Sequence, residues 1–527
     1  MTITRSLNAL KIDLRNLFDF GIKHQHQISD SELELSGRDE KMYDVIQYLA
    51  SRCDARLMHE IINDLGSRME RILILPVNHM KARIYIRMGI DIRDKKFLSM
   101  KDIYSTAKWL EKYQDTFLGV NIVSPEGKEP SQGEEGGNVN QSRIPWTTYE
   151  LDETIDKVGA PSNTGIFDKK LDLANYIWLK THQTQVSRVK CQLGHYHKGI
   201  IKFIEINDPG SIPFILSRAC WNHKFQAIIA ACKAIEALSD TTDDIPMIAT
   251  YWREFALELE RIKNHVSFLV TWFDLAGEIE IANRNKELLQ QIVNIEALLL
   301  DDNKIPWITP GGMSIEPRKK QPDIITVINT RLLDIEKRCN DELYRPIIQG
   351  DLFTAFNGIG RVSKTVAFKA GLTGPSLRAS GLPLDSRKDF PEGIHSTGLL
   401  KWDTCVGVNA DVKARIEIHA HEIIQSLRMV YQLLNLIDDE PTSEAQPGPL
   451  ERFLPNTEGF SLIEGSEGEL HCYARSSLNG KQIHTIRLQS PSFLNFTAVE
   501  SLFNKIHLRK LPWIIHSFNP CWNCIDM

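Results

Sequence analysis

The nine residues Asn519-Pro520-Cys521-Trp522-Asn523-Cys524-Ile525-Asp526-Met527 place Cys521 and Cys524 in a C-x-x-C pair at the end of the sequence. Two thiolates at this spacing can hold one soft metal ion. About three hundred residues upstream, Arg218-Ala219-Cys220-Trp221-Asn222-His223 supplies a C-x-x-H pair. If Cys220, His223, Cys521 and Cys524 converge on one ion, the end of the chain must return to its middle.

Composition narrows the class. With 527 residues the chain exceeds one ordinary core, which predicts two or three domains. Apolar residues make up 42% and charged residues 25%, values of a globular protein. A net charge of −6 and a pI near 6.3 speak against a nucleic-acid partner. Of nine cysteines, only 521 and 524 show metal-type spacing. No apolar signal segment heads the sequence, so the thiols are expected to stay reduced in the cytosol. No apolar run reaches the roughly 18 residues of a spanning helix; the stretch after His265 stops at Asp274. Membrane attachment is therefore expected through a partner.

Periodicity gives the organisation. Arg71-Ile-Leu-Ile-Leu-Pro76 and Ala82-Arg-Ile-Tyr-Ile-Arg87 read as strands, and a helical stretch carrying Trp109 and Glu111 runs to Gly119. Residues 124–138 are rich in Gly, Pro and Glu and cannot bury a core. Helical spacing recurs at 225–238, 251–273, 331–338 and 411–437, and strand-like alternation at 471–475 and 483–488. The expected class is α+β. It comprises a small α/β domain over 1–122, a flexible acidic linker over 123–144, and a large, mainly helical domain over 145–527 with a β-rich C-terminal part. No internal repeat is visible.

Taken in order, the motifs resemble the family that unites nickel–iron hydrogenase large subunits with the 49-kDa subunit of respiratory complex I. The likeness is nearest to energy-converting hydrogenases of the formate hydrogenlyase and hydrogenase-4 type. The first domain resembles the 30-kDa complex I subunit, with Trp109, Glu111 and Gly119 in its signature region. Gly194-His-Tyr-His197-Lys198-Gly199 resembles the family's G-Y-x-H-[RK]-G segment. Cys220 with Glu236 keeps the spacing from the first metal cysteine to a family glutamate. Glu258-Leu-Glu260-Arg261-Ile-Lys-Asn-His265 matches E-x-E-R-x-x-x-H on a helix. Pro310-Gly-Gly312, Asn357-Gly-Ile-Gly360-Arg361, Gly374-Pro-Ser-Leu-Arg378-Ala-Ser380-Gly381, Asp385-Ser-Arg387 and Asp411-Val-Lys-Ala-Arg415 with Glu422 follow, before N-P-C-x-x-C closes the series.

That resemblance implies a nickel–iron centre on four thiolates, of which Cys220, Cys521 and Cys524 match three. His223 occupies the fourth place, and imidazole bridges two metals poorly. Other positions depart as well. Ile201 stands where the family has a proton-passing glutamate, Asn519 for the aspartate of D-P-C, Ala227 for a histidine, Glu467 for the arginine of a P-R-G turn, and Met527 for a basic or histidine residue. Many members also carry a C-terminal extension removed once nickel is in place. The sequence stops at the equivalent of the mature end, implying that it needs no such cut or receives no nickel. The complex I loop histidine has no match in Gly159-Ala-Pro161-Ser-Asn163.

Several readings stay open. Cys220, His223, Cys521 and Cys524 are the candidate metal ligands, for a nickel–iron centre, for tetrahedral zinc, or for no metal at all. The rival view makes Cys220 a small buried hydrophobe, Cys521 and Cys524 idle thiols, and His223 a polar cavity lining. Arg378 is the candidate catalytic residue, leaning over the substrate side. Glu236, Glu258, Arg261, His265 and Arg387 are further candidates, set against helix-end pairing and an i,i+3 surface or interdomain ion pair. His195, His197, His419 and His421 read as surface or satisfied histidines.

The implied function is the large subunit of a membrane-associated hydrogenase-like or NADH-quinone oxidoreductase-like complex. It would exchange electrons with an iron–sulfur small subunit and associate with membrane subunits at the cytoplasmic face of the inner membrane. The alternatives are a catalytically silent structural subunit and quinone chemistry in the old cavity.

Overall fold

The computed structural model describes residues 6–18, 21–90, 93, 95–124, 156–157, 177–182, 184–191, 197–239, 245–301, 304–442, 453–502 and 506–525. Most of the expected acidic linker, residues 125–144, lies outside these, as do the Pro161 loop, His195 and Met527. The chain divides into two compact units. The first comprises Met1–His195, Thr365–Leu372 and Leu494–Pro512; the second comprises Tyr196–Lys364, Thr373–Phe493 and Trp513–Met527. The fold is α+β.

In the first unit, β1 (Ile22–Ser29), β2 (Glu32–Arg38), β3 (His59–Asp64), β4 (Met69–Val77) and β5 (Ala82–Ile90) form one sheet of order β1-β2-β5-β4-β3. The β2–β5 pair is parallel and the other pairs are antiparallel. β5 alternates buried and partly exposed residues, the period-2 pattern of a strand with one face on a core. β4 is buried almost throughout. It carries Arg71, fully buried, whose guanidinium meets Glu60 at 2.9 Å, Glu111 at 3.1 Å and Asp39 at 3.6 Å. Glu111 also accepts from Ser99 Oγ at 2.7 Å. This signature residue, on helix α1 (Ala107–Leu118), is thereby a counter-ion of the core.

The second unit is built on α2 (Met247–Ala276) and α3 (Val412–Asp439), which pack along each other. α2 is buried nearly all round, the mark of a central helix. An antiparallel meander, β6 (Glu458–Glu464), β7 (Glu469–Ser476) and β8 (Ile483–Gln489), supplies the β-rich C-terminal part. β6 and β7 lie on the helix Lys224–Glu236. Gly459 permits this approach, because a Cβ there would overlap the Ala234 carbonyl. Gly374, at φ +62°, likewise lets the turn before Arg378 lie against the Glu467 carbonyl. Among the described residues no helix is long and apolar enough to cross a membrane.

Candidate metal centre and a buried ion cluster

Cys220 lies just past the short helix Ile212–Ala219, in extended backbone. The next helix, Lys224–Glu236, starts at His223 without a cap from that side chain. Its first free N–H groups instead reach Glu260 of α2: Phe225 N donates to Oε1 at 2.9 Å and Gln226 N to Oε2 at 3.0 Å. A carboxylate borrowed from another helix thus fixes the Cys220 turn.

At the far end, Asn519 takes a left-handed φ of +51°, and Cys524 N and Ile525 N both donate to the Cys521 carbonyl. One helical turn therefore sets Cys521 and Cys524 three apart on the same side. Lys198, in the H-K-G segment, joins the two halves by donating to the Ala219 carbonyl at 3.0 Å and Asn523 Oδ1 at 3.3 Å.

The structure brings Cys220, Cys521 and Cys524 together. All three are buried, and their sulfurs lie within 4.8 Å of one another. Cys220 and Cys521 are 3.4 Å apart, too far for a disulfide. Three thiolates at zinc-type bond lengths of about 2.3 Å around a tetrahedral ion would be about 3.8 Å apart, close to this spacing. Hydrogen bonds from Cys521 and Cys524 hold the Cys220 thiol well below the usual range. The contact with Cys220 pushes Cys521 up to about 11, and burial raises Cys524. The cluster accommodates one thiolate readily, and further ionisation calls for a cation.

His223 lies beside this cluster, hydrogen-bonded to Cys521 and also tied to other partners. Nε2 meets Glu467 Oε1 at 2.7 Å, and Nδ1 lies 3.4 Å from Asn264 Nδ2. Burial opposes its charge, but the Glu467 carboxylate outweighs that and holds the imidazole well above its ordinary range. The other Glu467 oxygen accepts from Ser492, whose Oγ in turn accepts from Cys521 N at 3.0 Å. The histidine at the fourth cysteine's position and the glutamate at the arginine's position are therefore partners. As arranged, the donor set is three sulfurs. It fits one soft ion and does not furnish the four thiolates of a nickel–iron centre.

Arg378 is fully buried and wrapped in carboxylates: Glu464 at 2.7 Å, Glu422 at 2.9 Å and Asp385 at 3.4 Å. None of its described contacts is with a cysteine. Arg387 bonds Asp385 through two nitrogens, at 2.7 and 2.9 Å, and Glu258 at 2.7 Å. Arg261 reaches Glu258 at 3.3 Å, and its remaining nitrogens donate to the Gly465 and Glu464 carbonyls. His265 Nε2 meets Glu422 at 3.1 Å, and its Nδ1 lies 2.7 Å from His419 Nδ1. The i,i+3 pair Glu258–Arg261 is interior, not on a surface. His419 is a satisfied core histidine, pushed well below its usual range by burial. Glu236 belongs to neither group: it takes both terminal nitrogens of Arg253 and the Gly311 N–H, bracing the Pro310 turn.

Sequence reasoning noted Glu467 only as a departure, and it missed Ser492, Lys198 and Glu464 as partners. One signal was available: two departures, at His223 and Glu467, with complementary chemistry.

Residues 304–452 match the sequence profile of the respiratory-chain NADH dehydrogenase 49-kDa subunit. The chain is 26% identical to an NADH-quinone oxidoreductase subunit from Cutibacterium acnes over 393 residues, covering 65% of this chain and 87% of that one. It is 23% identical to the carbon monoxide-induced hydrogenase of Rhodospirillum rubrum over 356 residues, covering 67% and 94%. Among solved structures, a chain of the membrane-bound sulfane sulfur reductase, an archaeal respiratory membrane complex, matches with a TM-score of 0.62 at 21% identity. That match covers 72% of this chain and all of the other, and it is a likeness of fold. The chain is thus a distant relative of complex I 49-kDa subunits and of hydrogenase large subunits.

Proposed function

We propose that this chain is the large subunit of a membrane-associated redox complex of the complex I and hydrogenase kind, holding one soft metal ion on Cys220, Cys521 and Cys524. The observation that carries this reading is the meeting of three buried sulfurs, from opposite ends of the second unit's sequence, at ligand spacing. Such sulfurs favour nickel, zinc or iron over hard cations. A bound ion would supply Lewis acidity and, if redox-active, a place for an electron.

The chain's own residues do the positioning. Cys220 offers the ready thiolate. Ser492 fixes the Cys521 backbone and passes its constraint to Glu467, which holds His223 Nε2. Lys198 clamps the two cysteine-bearing turns. Among the described residues no other metal-ligand cluster is present, so electron exchange would need an iron–sulfur partner subunit. Membrane subunits would hold the assembly at the cytoplasmic face. Arg378 orders the Leu384–Arg387 segment, donating to the Leu384 carbonyl and sharing Asp385 with Arg387.

A second reading, a catalytically silent subunit with structural zinc, draws on the same geometry. Three sulfurs with a tied-off histidine suit zinc, and they leave the formate hydrogenlyase-type chemistry without its fourth thiolate. Elemental mass spectrometry and infrared spectroscopy of the purified complex separate the cases. One metal ion per chain without bands from iron-bound CO or cyanide fits the proposal. Nickel and iron together with such bands would restore the four-ligand centre with His223 as a member. A complex free of metal would remove the metal site altogether.

A further inference from the structure

We propose that Glu464 is a proton-loading site: a buried carboxyl that holds one proton and exchanges it with solvent when the charge around Arg378 changes. The proposal is independent of any metal at the cysteines.

Charge balance is the starting point. In the ion-paired set around Arg378, three guanidiniums, Arg261, Arg378 and Arg387, face four carboxylates, Glu258, Asp385, Glu422 and Glu464. Six of the seven are buried and Arg387 is partly exposed. His265 and His419 add no compensation, since burial holds both imidazoles below their ordinary range. A buried carboxylate without a matching cation is costly, and such a group binds a proton instead.

The partners show which carboxyl carries it. Asp385 has two nitrogens of Arg387 and a contact to Arg378. Glu422 has Arg378, Arg261 and His265. Burial disfavours the charge on both, but the guanidiniums win and hold them low. Glu258 has Arg387 and Arg261. Glu464 has one cation, Arg378, which Glu422 and Asp385 share. Its other oxygen lies 3.1 Å from the neutral Ser386 Oγ. Arg261 hydrogen-bonds the Glu464 backbone carbonyl and acts on its carboxyl only at longer range. From β7, Glu469 adds a like charge, with His471 3.6 Å from it. Burial, with Asp385 and Glu469 repelling, pushes Glu464 up to about 7.

A carboxyl balanced at that point responds to charge. A negative charge arriving near Arg378 draws the proton in, and a positive one expels it. The exchange balances as one proton between the Glu464 carboxyl and water. It gives the redox assembly a place to compensate an electron. The first unit's Arg71 cluster differs: one guanidinium faces three carboxylates, and burial pushes Glu60 up to about 8.

Infrared difference titration of the full-length chain tests this. One protonated-carboxyl band should disappear with a midpoint about 7, separate from a higher-titrating one. It should be absent in Glu464→Gln, with near-ultraviolet circular dichroism unchanged. Ser386→Ala removes a donor to the carboxylate and should raise the midpoint by about half a unit or more, which decides the matter if Glu464→Gln fails to fold. A band retained in Glu464→Gln, or an unmoved midpoint in Ser386→Ala, would overturn the assignment.

Discussion

The sulfur cluster and the Arg378 cluster lie in the same unit and face the same physical problem in opposite states. Cys220, Cys521 and Cys524 carry latent negative charge beside one imidazole, His223, which is shared between Glu467 and Cys521. The Arg378 cluster brings three guanidiniums of its own and falls one charge short. In the proposed account the first is completed by an ion from outside and the second by a proton. Metal supply should therefore govern one region and pH the other.

The largest effect expected is Arg378→Met. It strands Glu464, Glu422 and Asp385 without their shared cation and should cost about 3–5 kcal/mol in urea unfolding, with metal content of the surviving folded fraction unchanged. If the variant loses metal first, the two regions are one site.

Next comes Cys521→Ser. If a metal stabilises the native chain at about a hundred times its dissociation constant, its loss removes about 2.7 kcal/mol. Chelator should lower the melting temperature of the wild type and leave the serine variant where it is. Equal chelator sensitivity in both would mean that the sulfurs hold nothing.

Glu467→Gln sharpens the division between ligand and support. It should cost about 1–3 kcal/mol by breaking the buried pair with His223, yet retain metal. A sharp gain in metal affinity would show that Glu467 competes for an imidazole that belongs to the ion.

The smallest effect is in pH dependence. Glu464 is raised in the fold, so the native state binds more protons than the unfolded chain between about 4.5 and about 7. Stability from this group is full below that window and is lost as pH rises through it. Urea midpoints at about pH 5 and pH 7.5 should differ less in Glu464→Gln than in the wild type. An unchanged difference would assign the slope to other groups.

Much of the fold was legible because its elements announce themselves by period. The alternation of 82–87 became β5, and the apolar spacing of 251–273 became the central helix α2. The three cysteines were legible because a C-x-x-C pair is rare without a purpose. His223 was legible only in part: C-x-x-H suggests a ligand, while the partner of its Nε2, Glu467, lies 244 residues away. Arg378 was singled out by its motif, but its surroundings come from Glu422, Glu464 and Asp385 on three different segments. Charge balance of that kind is a property of the packed interior and leaves no spacing in the sequence.

X-ray absorption at the metal edge of the purified complex tests the three-sulfur assignment most directly. Cys220, Cys521 and Cys524 as the protein ligands predict three sulfur neighbours at about 2.3 Å and no imidazole scattering, unchanged by His223→Ala. Imidazole scattering that disappears in His223→Ala would contradict this and make His223 the fourth ligand.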